Sequence, residues 1–300
     1  QVARKAWLEF QEIERGGGMA EALHAGRPQE MIAKTASRRL ENVARRRDVI
    51  VGTNMYANAS EKAIDQTLLD FAAIQRKRGR EVENYRSSAW TDTQAAVMSK
   101  LNVLHQSDPT HVLDAAVEAV LGGATIGEVS QTFAAGDGDH PSAPRIRMHR
   151  LSEGYERLRS ICVSCKKDTG RAPLIFQANI GPSGDYRLRA DWTTGFFQTG
   201  GFEVQADVDF ENPEDAPKAA VASGARIVVI TSTDDRYAEI IPVLVPAFKR
   251  CIDRAIVMVA GNPGAHEEEW GRIGVDDYVN IKVNNQAMLE NLLKKLGVLS

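Results

Sequence analysis

Cys162 and Cys165 have the spacing of a redox couple or of half a zinc site. A redox pair should follow a strand and open a helix, whereas this pair precedes the first predicted strand. A structural zinc site would need two further ligands, and the sequence offers no partner pair. We therefore favour coincidental spacing over thiol or zinc chemistry.

A second group, Asp137, Asp139 and His140, resembles a metal-binding loop. The segment lacks the glutamate that closes a calcium site and the glycine pattern that shapes one. The surrounding residues, from Gly136 to Pro144, have the glycine, aspartate and proline content of a loop or linker. A solvated linker is the favoured interpretation.

Three further patterns suggest binding, and each has a simpler explanation. The basic runs 45–47 and 76–80 lack interleaved aromatic residues on a recognisable nucleic-acid module, so they fit the solvated side of helices. Residues 266–269 lack the second histidine of a zinc-protease helix. The turn 181–184 follows a predicted strand, but it has neither dinucleotide spacing nor a Gly-Lys-Ser/Thr ending.

The composition is that of a soluble globular chain. Its 300 residues are 43% hydrophobic and 26% charged, enough for one large domain or two ordinary ones. The net charge of −3 gives no general attraction for nucleic acid or acidic membranes, and no apolar run reaches transmembrane length. Three cysteines are too few for a disulfide framework, which predicts a reducing compartment, by default the cytoplasm. The start has neither an initiator methionine nor a secretion signal, so we expect a piece of something longer.

The first half of the chain is predicted to be mainly helical. Apolar residues recur at helical spacing, as in the face Ile32, Ala36 and Leu40. Thr125 and Glu128 have the spacing of a capping box. The exception is the run 48–52, an apolar segment bounded by polar residues, which is typical of a buried strand.

After about residue 170, apolar runs alternate with helical patterns. The runs predict five strands, namely Leu174–Ile180, Phe202–Ala206, Arg226–Thr231, Ala255–Ala260 and Asp277–Ile281. Alternation of this kind predicts an α/β fold with a doubly wound parallel sheet and a crevice at the carboxyl ends of the strands. Because Pro242 and Pro246 fall within one predicted helix, we expect that helix to start late or to kink.

The third predicted strand also excludes a phosphoreceiver domain. Such a domain needs acidic residues clustered after the first strand and an aspartate ending the third. Here Thr231-Ser232-Thr233 ends the third strand, and Asp234 and Asp235 come slightly too late.

Short motifs along the whole chain resemble one family in their order and spacing. In the first part these are Lys5-Ala6-Trp7, Gly17-Gly18-Met19-Ala20, Ser37-Arg38-Arg39, Val49-Ile50-Val51-Gly52-Thr53-Asn54 and Arg157-Leu158-Arg159. In the last third they are Thr194-Gly195-Phe196, Gly200-Gly201-Phe202-Glu203-Val204, Ile241-Pro242-Val243-Leu244 and Ile273-Gly274-Val275-Asp276. Together they resemble the C-terminal half of a subunit of adenosylcobalamin-dependent methylmalonyl-CoA mutase, particularly the small subunit of the heterodimeric bacterial enzyme.

The resemblance implies three regions. Residues 1–58 would be the helical end of a TIM-type substrate barrel, and residues 59–170 a helical linker. Residues 171–300 would form a flavodoxin-like, five-stranded domain of the cobalamin-binding type.

The resemblance also implies that the cobalt ligand is missing. In cobalamin-binding members, the loop after the first strand carries Asp-x-His-x-x-Gly, in which the imidazole ligates cobalt and the aspartate orients it. Counting back from Thr194, this sequence has Ser183, Asp185 and Leu188 at those three positions. Because a carboxylate is a harder ligand than imidazole and Leu188 adds volume, the resemblance implies no histidine-ligated cobalamin here.

Other loops of the predicted crevice depart from the family as well. The family's Ser-x-Leu after the third strand becomes residues 231–233, its glycine pair after the fourth becomes Ala260-Gly261, and its glycine-containing turn after the fifth becomes 280–282. Trp192, on the helix after the first predicted strand of the sheet, is expected to fill part of the space that the cofactor would occupy. We therefore expect a degenerate pocket made of Ser183, Asp185, Leu188, Thr231, Ser232, Thr233 and Gly261.

These losses imply a non-catalytic subunit with no metal site and no catalytic residue of its own. Its heterodimeric partner, the large catalytic subunit, would hold adenosylcobalamin and convert methylmalonyl-CoA to succinyl-CoA in propionate metabolism. Neither nucleic acid nor membrane is expected as a partner. Two alternatives stay open: a module that binds a nucleotide or CoA fragment in the vacated crevice, supported by Gly181, Gly184 and the Ser183 hydroxyl, or a histidine-independent cobalamin binder.

Overall fold

The computed structural model describes residues 1–58, 69–89, 92–134 and 142–299. The chain forms two compact units, of which the first contains the described residues up to 58 and from 144 onward. The second contains the described residues in between. The candidate metal loop with Asp137, Asp139 and His140 lies outside the described residues.

Helices occur in both units, and the named strands lie in the first. The helices are α1 (Val2–Arg15), α2 (Gly18–His24), α3 (Arg27–Ala44), α4 (Phe71–Ala89), α5 (Asp92–Ser107), α6 (Val112–Leu121), α7 (Ile126–Ala134), α8 (Glu153–Thr169), α9 (Ser183–Gln198), α10 (Ala216–Ser223), α11 (Asp234–Cys251), α12 (Glu267–Ile273) and α13 (Asn285–Lys295). The strands are β1 (Leu174–Ile180), β2 (Glu203–Gln205), β3 (Asp209–Phe210), β4 (Ile227–Thr231), β5 (Ile256–Ala260) and β6 (Asp277–Val279). Among the described residues, no helix has the length and apolar character needed to cross a membrane.

All strand pairs in the sheet are parallel, in the order β2-β1-β4-β5-β6, and β3 pairs with the carboxyl end of β1. With β2 and β3 taken as successive pieces of one edge strand, this is the 2-1-3-4-5 order of flavodoxin-like folds. The predicted α/β fold is confirmed. The sequence pattern missed only the two-residue strand β3, which is too short to show a periodicity.

Helices cover both faces of the sheet and create two buried layers. On one face α10 to α12 contribute side chains such as Leu244 and Trp270. On the other face α8, α9 and α13 contribute side chains such as Phe197 and Leu289. Because β4 and β5 are buried on both faces, every residue in them is buried, which explains their continuous apolar sequence.

Helix α11 contains both Pro242 and Pro246 and begins three residues after β4 ends. It therefore does not start late, contrary to one of the two outcomes expected from the prolines. Its face is buried against the sheet through Ile241, Leu244, Val245 and Phe248. This burial offsets the backbone hydrogen bonds that the prolines cannot donate.

The run 48–52 is not a buried strand, so that prediction was wrong. Val49 and Val51 are 53% and 74% exposed, and Val51 makes only an isolated bridge to Met55. A strand needs a neighbour for its backbone groups, and no named strand of the described chain pairs with this segment. The turn is held instead by Asn54, which is fully buried and whose amide bonds the surrounding backbone.

A buried polar cluster fastens this N-terminal segment to the α/β layers. The Tyr155 hydroxyl donates to Asn285 Oδ1 at 2.8 Å, and burial raises the pKa of Tyr155, which keeps this donor protonated. The Thr199 hydroxyl lies 3.2 Å from Asn285 Oδ1 and has a shorter acceptor in the Phe196 carbonyl, at 2.7 Å. Arg159 donates to the backbone carbonyls of Gly52 and Thr199, each at 2.9 Å. The helices before residue 58 and the sheet thus belong to one unit.

The second unit consists of α4 to α7 and has a small core around Leu101 and Ala119. The predicted capping box is confirmed at the start of α7. The Thr125 N–H donates to the Glu128 carboxylate at 2.8 Å, and the Glu128 N–H donates to the Thr125 hydroxyl at 3.3 Å. The hydrogen bond from the Thr125 backbone lowers the pKa of Glu128.

Candidate ligand crevice

An open cleft of about 710 Å³ lies at the carboxyl end of the sheet. We call it the crevice; it is bounded by the first turns of α9 and α11 and by residues after β5 and β6. Helices α9 and α11 follow the neighbouring strands β1 and β4 and cover opposite faces of the sheet. This is the topological switch point, where doubly wound folds bind their ligands.

Four of the seven predicted pocket residues meet in the crevice, namely Asp185, Leu188, Thr233 and Gly261. Leu188 is 89% exposed, so its side chain forms an apolar wall open to solvent. Trp192 lies on the same helix and also lines the crevice, as the sequence suggested.

The other three predicted residues are elsewhere. Ser183 is exposed at the start of α9 and does not line the crevice. Thr231 and Ser232 are fully buried. The Thr231 hydroxyl donates to Asn179 Oδ1 at 2.6 Å, and the Ser232 hydroxyl donates to the Ile180 carbonyl at 2.9 Å. These hydroxyls join the ends of β4 and β1 and are not available to a ligand.

The segment aligned with the family's ligand loop is helical. Helix α9 begins at Ser183, directly after Pro182 in extended conformation, so Asp185 and Leu188 lie in its first two turns. The Asp185 carboxylate lies 3.6 Å from the Arg236 guanidinium on α11. An arginine partner thus faces the carboxylate that the motif resemblance matches to the ligand position.

A second ion pair joins the same two helices. Arg189 Nη1 on α9 lies 2.9 Å from Asp234 Oδ1 on α11. The same nitrogen donates to the Ser232 carbonyl at 2.6 Å, and the guanidinium lies 5.4 Å from the centre of the Tyr237 ring. Sequence reasoning missed both Arg189 and Arg236, because only the strand order brings residues so far apart in sequence together.

Gly181 provides the room for this arrangement. It has a φ of 99°, which favours glycine, and the Arg236 guanidinium occupies the place where a side chain at residue 181 would begin. Any other residue here would displace Arg236 and strain the backbone.

The basic run 45–47 does not lie wholly on a solvated helix side, as the sequence had suggested. The Arg46 guanidinium stacks 5.2 Å from the Trp192 ring centre, and burial lowers the pKa of Arg46. Arg45 donates to the Lys282 carbonyl at 3.2 Å. Two of the three arginines therefore support the wall and rim of the crevice.

The cysteine pair has no redox geometry. Cys162 is buried in α8 and its thiol donates to the Gly200 carbonyl at 3.3 Å. Burial raises the pKa of Cys162 to about 12, which disfavours the reactive thiolate. In the described part of the chain, no group of three or more histidine, cysteine or acidic side chains could hold a metal ion.

The fold and the crevice define a doubly wound α/β protein with an open cleft at its switch point. The family model for methylmalonyl-CoA mutase matches residues 1–139. The chain is 30% identical over 267 residues to the methylmalonyl-CoA mutase of Rhizobium meliloti, covering 87% of this chain and 37% of that protein. It is 23% identical over 297 residues to the methylmalonyl-CoA mutase small subunit of Porphyromonas gingivalis, covering 99% of this chain and 37% of that protein.

Large subunits are similar as well. The chain is 24% identical over 312 residues to the large subunit of the mutase from Propionibacterium freudenreichii, covering 98% of this chain and 42% of that protein. A solved cobalamin-binding protein from Desulfitobacterium hafniense has a TM-score of 0.34 and 15% identity, covering 76% of this chain and 99% of that one. That structural similarity is too low to support an argument.

The chain is thus related to the methylmalonyl-CoA mutases, and the resemblance read from its motifs is confirmed. It spans little more than a third of the length of the first relatives, 37% in the Rhizobium meliloti protein.

Proposed function

We propose that this chain is part of the non-catalytic small subunit of an adenosylcobalamin-dependent methylmalonyl-CoA mutase. The observation that carries the proposal is the ion pair of Asp185 with Arg236, since the motif resemblance matches Asp185 to the cobalt-ligating histidine. Relatives named as large and as small subunits support a heterodimeric arrangement.

The residues of the crevice do not fit a histidine-ligated cobalamin. No histidine lines the crevice in the described chain. The carboxylate of Asp185 is a harder ligand than imidazole and is already compensated by an arginine. Leu188 replaces the glycine that would let the nucleotide tail pass. No catalytic step is therefore assigned to this chain.

In this proposal the large subunit holds adenosylcobalamin and converts methylmalonyl-CoA to succinyl-CoA, in the cytoplasm. The present chain supplies a folded contact partner. The division into a barrel remnant at 1–58, a linker at 59–170 and a cobalamin-binding-like domain at 171–300 remains part of the proposal.

Reconstitution tests this assignment. The full-length protein is purified alone and together with the mutase large subunit of the same organism, and succinyl-CoA formation is measured with adenosylcobalamin present. We expect no turnover by the protein alone, and co-elution with the active large subunit. Turnover by the protein alone, or failure to associate with that subunit, would contradict the proposal.

A second candidate function is the binding of a nucleotide or CoA fragment. It is favoured by the persistence of an open crevice of about 710 Å³ that reaches Gly184 at the amino end of α9. Calorimetric titration with adenosine diphosphate and with CoA tests it. Absence of heat on binding at millimolar ligand would dispose of this candidate.

A further inference from the structure

The two ion pairs across the crevice are reciprocal. Helix α9 contributes Asp185 and Arg189, one helical turn apart, and α11 contributes Asp234 and Arg236. Each helix thus offers one carboxylate and one guanidinium to the other. We call these four residues the crevice clasp.

The two ion pairs of the crevice clasp connect helices that lie on opposite faces of the sheet. Asp185 and Arg236 approach to 3.6 Å, and Arg189 and Asp234 to 2.9 Å. Since α9 and α11 cover opposite faces, each pair passes over the carboxyl ends of β1 and β4.

The arginines have additional supports that hold them in place. Arg189 donates to the Ser232 carbonyl at 2.6 Å and lies over the Tyr237 ring. Arg236 fits over Gly181, whose missing side chain leaves the space that the guanidinium occupies. Three of the four clasp side chains are 29–43% exposed, and Asp234 is 71% exposed.

We infer that the crevice clasp keeps the first two turns of α9 helical at the edge of the sheet, without the help of a bound ligand. The segment that resembles a cofactor loop is thereby held in part by these two ion pairs. This inference goes beyond the proposed function, since it concerns how the isolated chain orders its crevice and requires neither the partner subunit nor any particular reaction.

Hydrogen exchange of the full chain tests the inference. Backbone amides 184–190 are followed by mass spectrometry or NMR in the unaltered protein, Arg236→Ala and Arg189→Ala. Each variant should exchange about two- to fivefold faster there, the range that partly exposed ion pairs give. The charge-exchanged double variant Asp185→Arg with Arg236→Asp should recover most of the protection.

Two controls separate the clasp from general destabilisation. Arg187 lies in the same turn of α9, but it does not line the crevice and belongs to neither clasp ion pair. Arg187→Ala should therefore leave exchange at 184–190 unchanged. Amides of β4 and β5 should remain protected in every variant. Sodium chloride at 0.5 M should accelerate exchange at 184–190 more in the unaltered protein than in either alanine variant, because each variant keeps only one of the two ion pairs.

The inference is overturned if Arg236→Ala and Arg189→Ala exchange like the unaltered protein, or if Arg187→Ala has the same effect as they do. Because no partner or cofactor is present, this outcome is independent of the reconstitution result. If the heterodimer is active but the alanine variants leave exchange in α9 unchanged, the proposed function stands and the inference about the clasp is wrong.

Discussion

The core of the parallel sheet and its carboxyl edge differ in how far they keep the family's pattern. In the core, every residue of β4 and β5 is buried, and the strand order is flavodoxin-like. At the edge, Asp185 and Leu188 depart from the ligand motif that the resemblance implies. The difference teaches that burial of apolar strands specifies this scaffold without help from the chemistry of the edge.

The largest effect is expected from a substitution in the core. Phe176 in β1 is fully buried and packs 6.2 Å, centre to centre, from Phe210. Phe176→Ala should lower the free energy of unfolding by about 3–5 kcal/mol, because it removes buried area and leaves a cavity. Urea denaturation measures this free energy. A loss below about 1 kcal/mol would contradict the claim that core side chains contribute more to stability than side chains at the edge.

A smaller effect is expected where the N-terminal segment joins the sheet. Tyr155→Phe removes the hydroxyl that donates to Asn285 Oδ1 at 2.8 Å, while the Thr199 hydroxyl remains 3.2 Å from that oxygen. We expect a loss of about 0.5–1.5 kcal/mol in the free energy of unfolding, the typical net contribution of one hydrogen bond. Equal stability of the variant and the unaltered protein would show that this polar cluster contributes nothing.

The second unit offers a test in which the expected effect is similar or smaller. Thr125→Ala removes the cap of α7 and should cost about 1 kcal/mol, measured by hydrogen exchange in α7. Since the folded pKa of Glu128 is lowered, its contribution is present above its ordinary pKa and is lost as the pH falls through the lowered value. Protection of α7 that does not decrease on acidification would contradict this assignment.

The smallest effect is expected at the edge itself. Leu188→Ala truncates a side chain that is 89% exposed, so the free energy of unfolding should change by less than about 0.5 kcal/mol. The same urea denaturation provides the matched comparison with Phe176→Ala. A large loss here would mean that the edge contributes to the fold as strongly as the core.

The sequence predicted the scaffold well because continuous apolar runs mark strands that are buried on both faces. It did not predict the run 48–52 correctly, since an apolar run shows no partner strand. It placed Thr231 and Ser232 in the pocket, but their hydroxyls bond β1. The partners Arg189 and Arg236 were missed because strand order, which periodicity does not reveal, brings them to Asp234 and Asp185.

Titration of the full chain with adenosylcobalamin tests the central claim most directly. The visible absorption spectrum of the cofactor is recorded with the unaltered protein and with Asp185→Ala. Because Asp185, which the motif resemblance matches to the ligand position, is a carboxylate paired with Arg236, we predict no spectral change with either protein. A spectrum of the histidine-ligated form, or any shift that Asp185→Ala abolishes, would contradict the claim that this crevice no longer holds the cofactor.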